Sequence, residues 1–257
     1  MGMKWFLGIL LLTLLSPCLR AQIHDHVQIA QQNIPAIVTV NALRKDGSTY
    51  TATGFVLTSE GLIATNRHVL QEALYVNLTF SNAAVSGEAV PLTQSDTVDL
   101  ALLKIQAHNL PHVTLGDSAS VQPGQTITVI GNPRRLQNTV TSGIISQLRE
   151  QKNGTQWFQI SAPISPSSSG SPVFNAQGQV IAVAFASLTG AENQNLNFAI
   201  PVDYLIQLAA NQQILLPTSQ MENTLKQHPF LNHVKKSWQI LKRLWNRWFN
   251  TGSEVLG

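Results

Sequence analysis

Gly54-Phe-Val-Leu-Thr-Ser-Glu-Gly-Leu-Ile-Ala-Thr-Asn-Arg-His-Val-Leu70 carries the clearest signal of the fold. Two short runs rich in β-branched and apolar residues flank Ser59-Glu-Gly61, and that pattern predicts a hairpin with its turn there. The second strand, Leu62 to Thr65, ends by presenting His68. A general base belongs at such an element end, held by a scaffold yet open to a cleft.

Outward from this hairpin the same pattern repeats. Ala36 to Val40, Leu100 to Ile105, Thr126 to Ile130 and Thr139 to Leu148 are short apolar or alternating runs. Val173-Phe174, Val180 to Phe185 and Asn197 to Ile200 complete the series. Gly, Pro, Asn and Ser punctuate them, which predicts an antiparallel all-β sandwich or barrel. Val27 to Gln32 and Val202 to Ala210 read as flanking helices, the second with Asp203 suited to its first turn. Gly116 to Gly124 reads as a connector splitting the β region into halves of similar length.

Charged residues make up only 11% of the 257-residue chain, against roughly a quarter in ordinary soluble domains. The net charge is +3, but six Lys/Arg against two Glu lie from Met221 onward, leaving ten cations against eleven anions before it. The body therefore has no basic patch for nucleic acid. At the other end, Lys4 precedes an apolar run from Trp5 to Leu15, followed by Pro17 and small residues. That run is too short to span a bilayer and predicts a signal peptide over 1–21, cleaved after Ala21, with an uncleaved anchor as the alternative. Cys18 lies inside this segment, so the mature chain is expected to hold no thiol and hence no disulfide or thiolate metal site. His24 and His26 have no evident co-ligands, and Pro111 precludes a clean helical pair of His108 and His112, so neither a metal nor a cofactor is expected.

Three segments carry chemistry. The first ends at His68. In the second, Asp96-Thr-Val-Asp-Leu-Ala-Leu-Leu-Lys-Ile105, Asp99 heads an apolar strand, where its carboxylate can accept a hydrogen bond from a His ring. The third, Pro163-Ile-Ser-Pro-Ser-Ser-Ser-Gly-Ser-Pro-Val-Phe-Asn175, predicts a tight loop that sets a hydroxyl beside successive backbone N–H groups. Acyl transfer needs that combination of nucleophile and oxyanion donors. The order His, Asp, Ser differs from the α/β-hydrolase and subtilisin orders and selects the chymotrypsin-type arrangement.

Five motifs extend the argument: Thr65-Asn-Arg-His-Val69, Thr97-Val-Asp-Leu-Ala-Leu102, Gly131-Asn-Pro133 with Thr139 to Ser146, Ser169-Gly-Ser-Pro172 and Asn197-Phe-Ala-Ile-Pro201. Together, from about Ile34 to Pro201, they resemble the HtrA/Deg family of trypsin-like proteases. The resemblance implies two six-stranded antiparallel β-barrels with an active site in the cleft between them. It makes His68 the general base, Asp99 its orienting acid and Ser169 the nucleophile, with the backbone N–H groups of Ser167 and Ser169 as the oxyanion hole. Asp96 is the rival acid, and Ser165, Ser167, Ser168 and Ser171 are rival nucleophiles, but only Ser169 precedes Gly-Ser-Pro in the family manner. Pro163 stands where relatives selective for basic residues place an acid. With Ala184, Phe185 and Ala186 as the opposite wall, it implies a pocket for small or medium apolar P1 residues.

Ser167 departs from the family, which usually has Gly there. Either the Ser tolerates a positive φ, or its N–H is misdirected until substrate binds. The stretch after Pro201 is too short for the PDZ domain that many relatives carry. The expected organisation is thus a signal peptide (1–21), an N-terminal barrel with His68 and Asp99 (22–118), a C-terminal barrel with Ser169 (119–215) and a basic helical tail (216–257). In that tail Leu231, Val234, Trp238, Leu241, Trp245 and Trp248 share one helical face. Lys235, Lys236, Lys242, Arg243 and Arg247 take the other, an amphipathic pattern over 231–249. Its apolar face suits either peripheral contact with an anionic membrane or packing on protein. The expected function is a secreted or periplasmic serine endopeptidase acting on polypeptide. The alternative is a catalytically weak protein of the same fold that binds unfolded polypeptide or a partner.

Overall fold

A computed structural model describes residues 25–80, 86–132, 138–188, 196–214, 216, 218 and 219. The expected signal peptide and the amphipathic stretch 231–249 lie outside the described residues.

Six strands form the first barrel: β1 (Ile37–Arg44), β2 (Thr49–Thr58), β3 (Leu62–Thr65), β4 (Ala73–Phe80), β5 (Ser86–Gln94) and β6 (Ala101–Ile105). They close in the order β1-β2-β3-β6-β5-β4, every neighbour antiparallel. The Ser59-Glu-Gly61 turn joins β2 to β3 as expected, with Gly61 at a φ of 88°. Its N–H donates to the Thr58 carbonyl. His68, however, is not on β3 itself. It rides on a one-turn 3-10 helix, Arg67–Leu70, that follows.

β7 (Thr114–Leu115) precedes the connector yet already pairs in parallel with the second sheet. That sheet holds β8 (Thr126–Gly131), β9 (Thr139–Glu150), β10 (Gln156–Ile160), β11 (Pro172–Phe174), β12 (Gln179–Leu188) and β13 (Leu196–Pro201). The order β11-β8-β9-β10-β13-β12 closes through the β11–β12 pairing, giving a second six-stranded antiparallel barrel. Closure removes the exposed edges that an open sheet would present.

Among the described residues, two helices flank the barrels. In α1 (His26–Asn33) the Asp25 carboxylate caps the first turn by accepting from the Gln28 N–H at 2.7 Å. Ile29 and Ala30 are buried, and the His26 ring bonds the Thr128 hydroxyl at 2.7 Å, tying the helix to the second barrel. α2 (Val202–Asn211) buries Val202, Leu205, Leu208 and Ala209. Among the described residues no helix is long and apolar enough to cross a membrane.

The core explains how the barrels hold their relative position. One cluster fills the first barrel around Phe55, Ile63, Leu78, Leu102 and Leu103. It continues without a break into Ile130, Phe174, Val180, Val183 and Ile200 of the second barrel. A second cluster, around Ile127, Ile145, Phe158, Ile160 and Ile181, fills the second barrel. β12 therefore serves both, with Val180 and Val183 in the first cluster and Ile181, Ala182 and Ala184 in the second. Each such large side chain, fully buried, contributes about 1.5–3 kcal/mol relative to exposure. An apolar seam of this kind holds the rims of the two barrels together, and those rims carry the segments with His68, Asp99 and Ser169.

Candidate active site

Asp99 lies just before β6 and is bound to the His68 turn by three hydrogen bonds. Its carbonyl accepts from Asn66 Nδ2 at 2.7 Å, Oδ1 from the His68 backbone N–H at 2.8 Å, and Oδ2 lies 2.6 Å from His68 Nδ1. Both carboxylate oxygens thus serve the one residue, and the ring is held with Nε2 as its remaining nitrogen. Side-chain exposures of 31% for His68 and 20% for Asp99 put the carboxylate deeper and the ring toward the opening. The ring edge meets Tyr50 in a T-shaped contact, centroids 5.9 Å apart, and Arg44 stacks on Tyr50 at 4.4 Å. Asp96 is exposed in the preceding turn. There the Ser95 hydroxyl, not Asp96, accepts the turn N–H groups of Thr97 and Val98, at 3.3 and 3.2 Å.

The serine loop is built from tight turns. The Ser168 N–H donates to Ser165 O, and Ser171 N–H to Ser168 O, both at 3.0 Å. Gly170 N–H donates to Ala184 O at 2.8 Å and Ala184 N–H to Ser171 O at 2.9 Å, pinning the loop to β12. Gly170 has a φ of 84°, and a Cβ there would drive into the Thr53 carbonyl, so only glycine fits. Ser167 has a φ of 74°. Of the two alternatives the sequence left open, the chain takes the strained one: Ser167 adopts the conformation a glycine would. The N–H groups of Ser167 and Ser169 have no partner among the described residues, whereas those of Ser168, Gly170 and Ser171 do. Two unused donors beside a hydroxyl form an arrangement able to receive an oxyanion.

The Ser169 hydroxyl donates to the Phe185 carbonyl at 3.4 Å, so it rests turned toward β12 rather than toward His68. What ties its loop to the His68 turn is Thr53 on β2. The Thr53 N–H donates to Ser169 O at 2.9 Å and its hydroxyl to Ser167 O at 2.9 Å. Its carbonyl accepts from Thr65 Oγ1, three residues before His68, at 2.8 Å. The Thr53 hydroxyl also accepts from the Asn132 N–H at 3.0 Å. Nothing in the sequence marks Thr53 or Tyr50, because Thr and Tyr on a strand read simply as β-formers.

The expected pocket residues divide. Pro163 is exposed, and its carbonyl accepts from Thr141 Oγ1 at 3.2 Å. Phe185 is half-buried at a bulge in β12, its ring 4.9 Å from Trp157. Ala186 pairs with Phe198. Ala184 has no exposed surface and serves the loop through its backbone.

The trypsin-like peptidase domain family matches residues 52–183. HhoB of Synechocystis sp., a candidate serine protease, is 38% identical over 190 residues, 70% of this chain and 42% of that protein. A candidate DegP-like periplasmic serine endoprotease of Halomonas elongata is 35% identical over 161 residues, 61% of this chain and 34% of its own. The chain thus spans less than half the length of these curated relatives. Among solved structures, the HtrA-type protease AlgW with tripeptide superposes with a TM-score of 0.68 at 26% identity, over 73% of this chain and 63% of that one. Two closed barrels, the rim between them and these matches converge: the chain belongs to the trypsin-like peptidase family, and its relatives there are of HtrA/Deg type.

Proposed function

We propose that the protein is a serine endopeptidase in which His68, Asp99 and Ser169 form the catalytic triad. The observation that carries this reading is the double bond-pair between Asp99 and His68, which leaves Nε2 as the nitrogen available to a nucleophile. Ser169 Oγ turns from the Phe185 carbonyl and attacks the scissile carbonyl carbon while its proton passes to His68 Nε2. The N–H groups of Ser167 and Ser169 receive the oxyanion. The C–N bond then breaks, His68 returns the proton to the leaving amine, and water repeats the sequence to free the acid. Asp99 holds the ring in the productive tautomer throughout.

An exposed Pro163, where relatives selective for basic residues place an acid, supports small or medium apolar P1 residues. The apolar N-terminal run and the periplasmic relative support an extracytoplasmic site of action. A second reading, a catalytically weak binder of unfolded polypeptide, is favoured by the resting rotamer of Ser169. Digestion of unfolded casein separates the two. The endopeptidase reading expects cleavage by the wild type and none by Ser169→Ala or His68→Ala. Binding of casein without cleavage by the wild type would replace it with the second reading.

A further inference from the structure

We infer that Thr53 is a positioning residue for the oxyanion hole, setting its geometry from the opposite barrel; the inference rests on the endopeptidase reading above. Thr53 is completely buried and uses every polar group it has. The N–H holds the Ser169 carbonyl and the hydroxyl holds the Ser167 carbonyl. These two carbonyls belong to the peptide planes on either side of the Ser168–Ser169 plane, which carries the Ser169 N–H. Clamping both neighbours fixes the plane between them. The Ser167 carbonyl is also the group that sets ψ at Ser167, a residue already held at a φ of 74°. A left-handed serine relaxes unless its surroundings over-determine it, and the Thr53 hydroxyl is one of those determinants.

The same hydroxyl accepts the Asn132 N–H, and Asn132 in turn bonds Thr39 on β1 through Nδ2 and the Asn138 N–H through Oδ1. One oxygen therefore joins the serine loop to the segment at Gly131-Asn132. The neighbouring side of this junction is equally tight. A Cβ at Gly131 would strike the Ser171 hydroxyl, and one at Gly170 would strike the Thr53 carbonyl. The carbonyl of Thr53, bonded by Thr65, carries the constraint on toward the His68 turn.

Thr53→Val keeps the shape and removes the hydroxyl; Thr53→Ser keeps the hydroxyl. Full loss of one oxyanion donor costs about 10²–10³-fold in kcat, so a donor misaimed but present should cost about 10–100-fold in kcat for Thr53→Val. KM for a peptide substrate should stay within about 2-fold, because ground-state contacts are not touched. Thr53→Ser should recover kcat to within about 3-fold of wild type. Circular dichroism and active-site titration report the folded, competent fraction. Thr53→Ala, which introduces no new contact, carries the same test should Thr53→Val not fold. A kcat for the folded hydroxyl-free variant within about 2-fold of wild type overturns the inference while leaving Ser169-dependent cleavage standing. So does failure of Thr53→Ser to restore kcat. A wild type whose cleavage survives Ser169→Ala would instead overturn the endopeptidase reading itself.

Discussion

Replacing Ser167 by glycine tests whether the strained φ of 74° is a feature of the folded chain. An L-residue in the left-handed region costs about 1–2 kcal/mol. Glycine removes that cost but loosens the unfolded chain, which offsets about 0.4–1 kcal/mol. The Ser167 hydroxyl bonds nothing among the described residues, and the Ser167 carbonyl that Thr53 holds is kept in either case. Ser167→Gly should therefore stabilise the fold by about 0.5–1 kcal/mol, a rise in Tm of roughly 1–4 °C for a domain of this size. Turnover should stay within about 2-fold, because the backbone already stands as a glycine would place it. Thermal melting by circular dichroism and steady-state peptide hydrolysis measure both. A fall in Tm would refute the strain argument. A tenfold or greater rise in kcat would show that the native N–H is misdirected, the alternative that the sequence left open.

Asp99→Asn should leave the fold intact and lower kcat by about 10⁴-fold, the cost of the wrong imidazole tautomer in a trypsin-type site; a loss under tenfold in peptide hydrolysis would remove Asp99 from the triad. Ser171 is wholly buried and its hydroxyl has no partner among the described residues. Ser171→Ala should therefore stabilise the protein by about 1 kcal/mol, and a drop in the denaturant midpoint would mean the hydroxyl is satisfied in solution. The full chain should sediment with anionic vesicles in low salt while a version ending at Gln220 does not, each cation near such a surface being worth about 1 kcal/mol; equal sedimentation would assign the tail to protein contacts.

How far the sequence foretells the structure depends on what each segment buries. The hairpin at Ser59-Glu-Gly61 was legible because both of its strands are apolar and buried, and so were β6, β8 and β12. β5 was not legible. Val90 and Leu92 on it are exposed, and Pro91 sits at a register shift opposite β6, where a missing N–H is tolerated. β4 likewise exposes Leu74 and Tyr75, and β10 follows a turn through polar residues. Their strand identity comes from barrel closure, which no local pattern reports. At the site, residues whose chemistry is unusual for their position, His68, Asp99 and Ser169, stand out in the sequence. Thr53 and Thr65 do not. Their roles depend on hydrogen bonds to residues 114 and 12 positions away, respectively. The positive φ at Ser167 was legible only as one of two alternatives, because the loop closure that selects it is three-dimensional.

Ser169 as nucleophile makes the proposed triad a catalytic device. Treating the protein with a fluorophosphonate and locating the adduct by peptide mass spectrometry tests it most directly. One adduct per chain is expected, on Ser169, absent from Ser169→Ala and lost from His68→Ala. An adduct on Ser167, Ser168 or Ser171, or one that persists in Ser169→Ala, would contradict it.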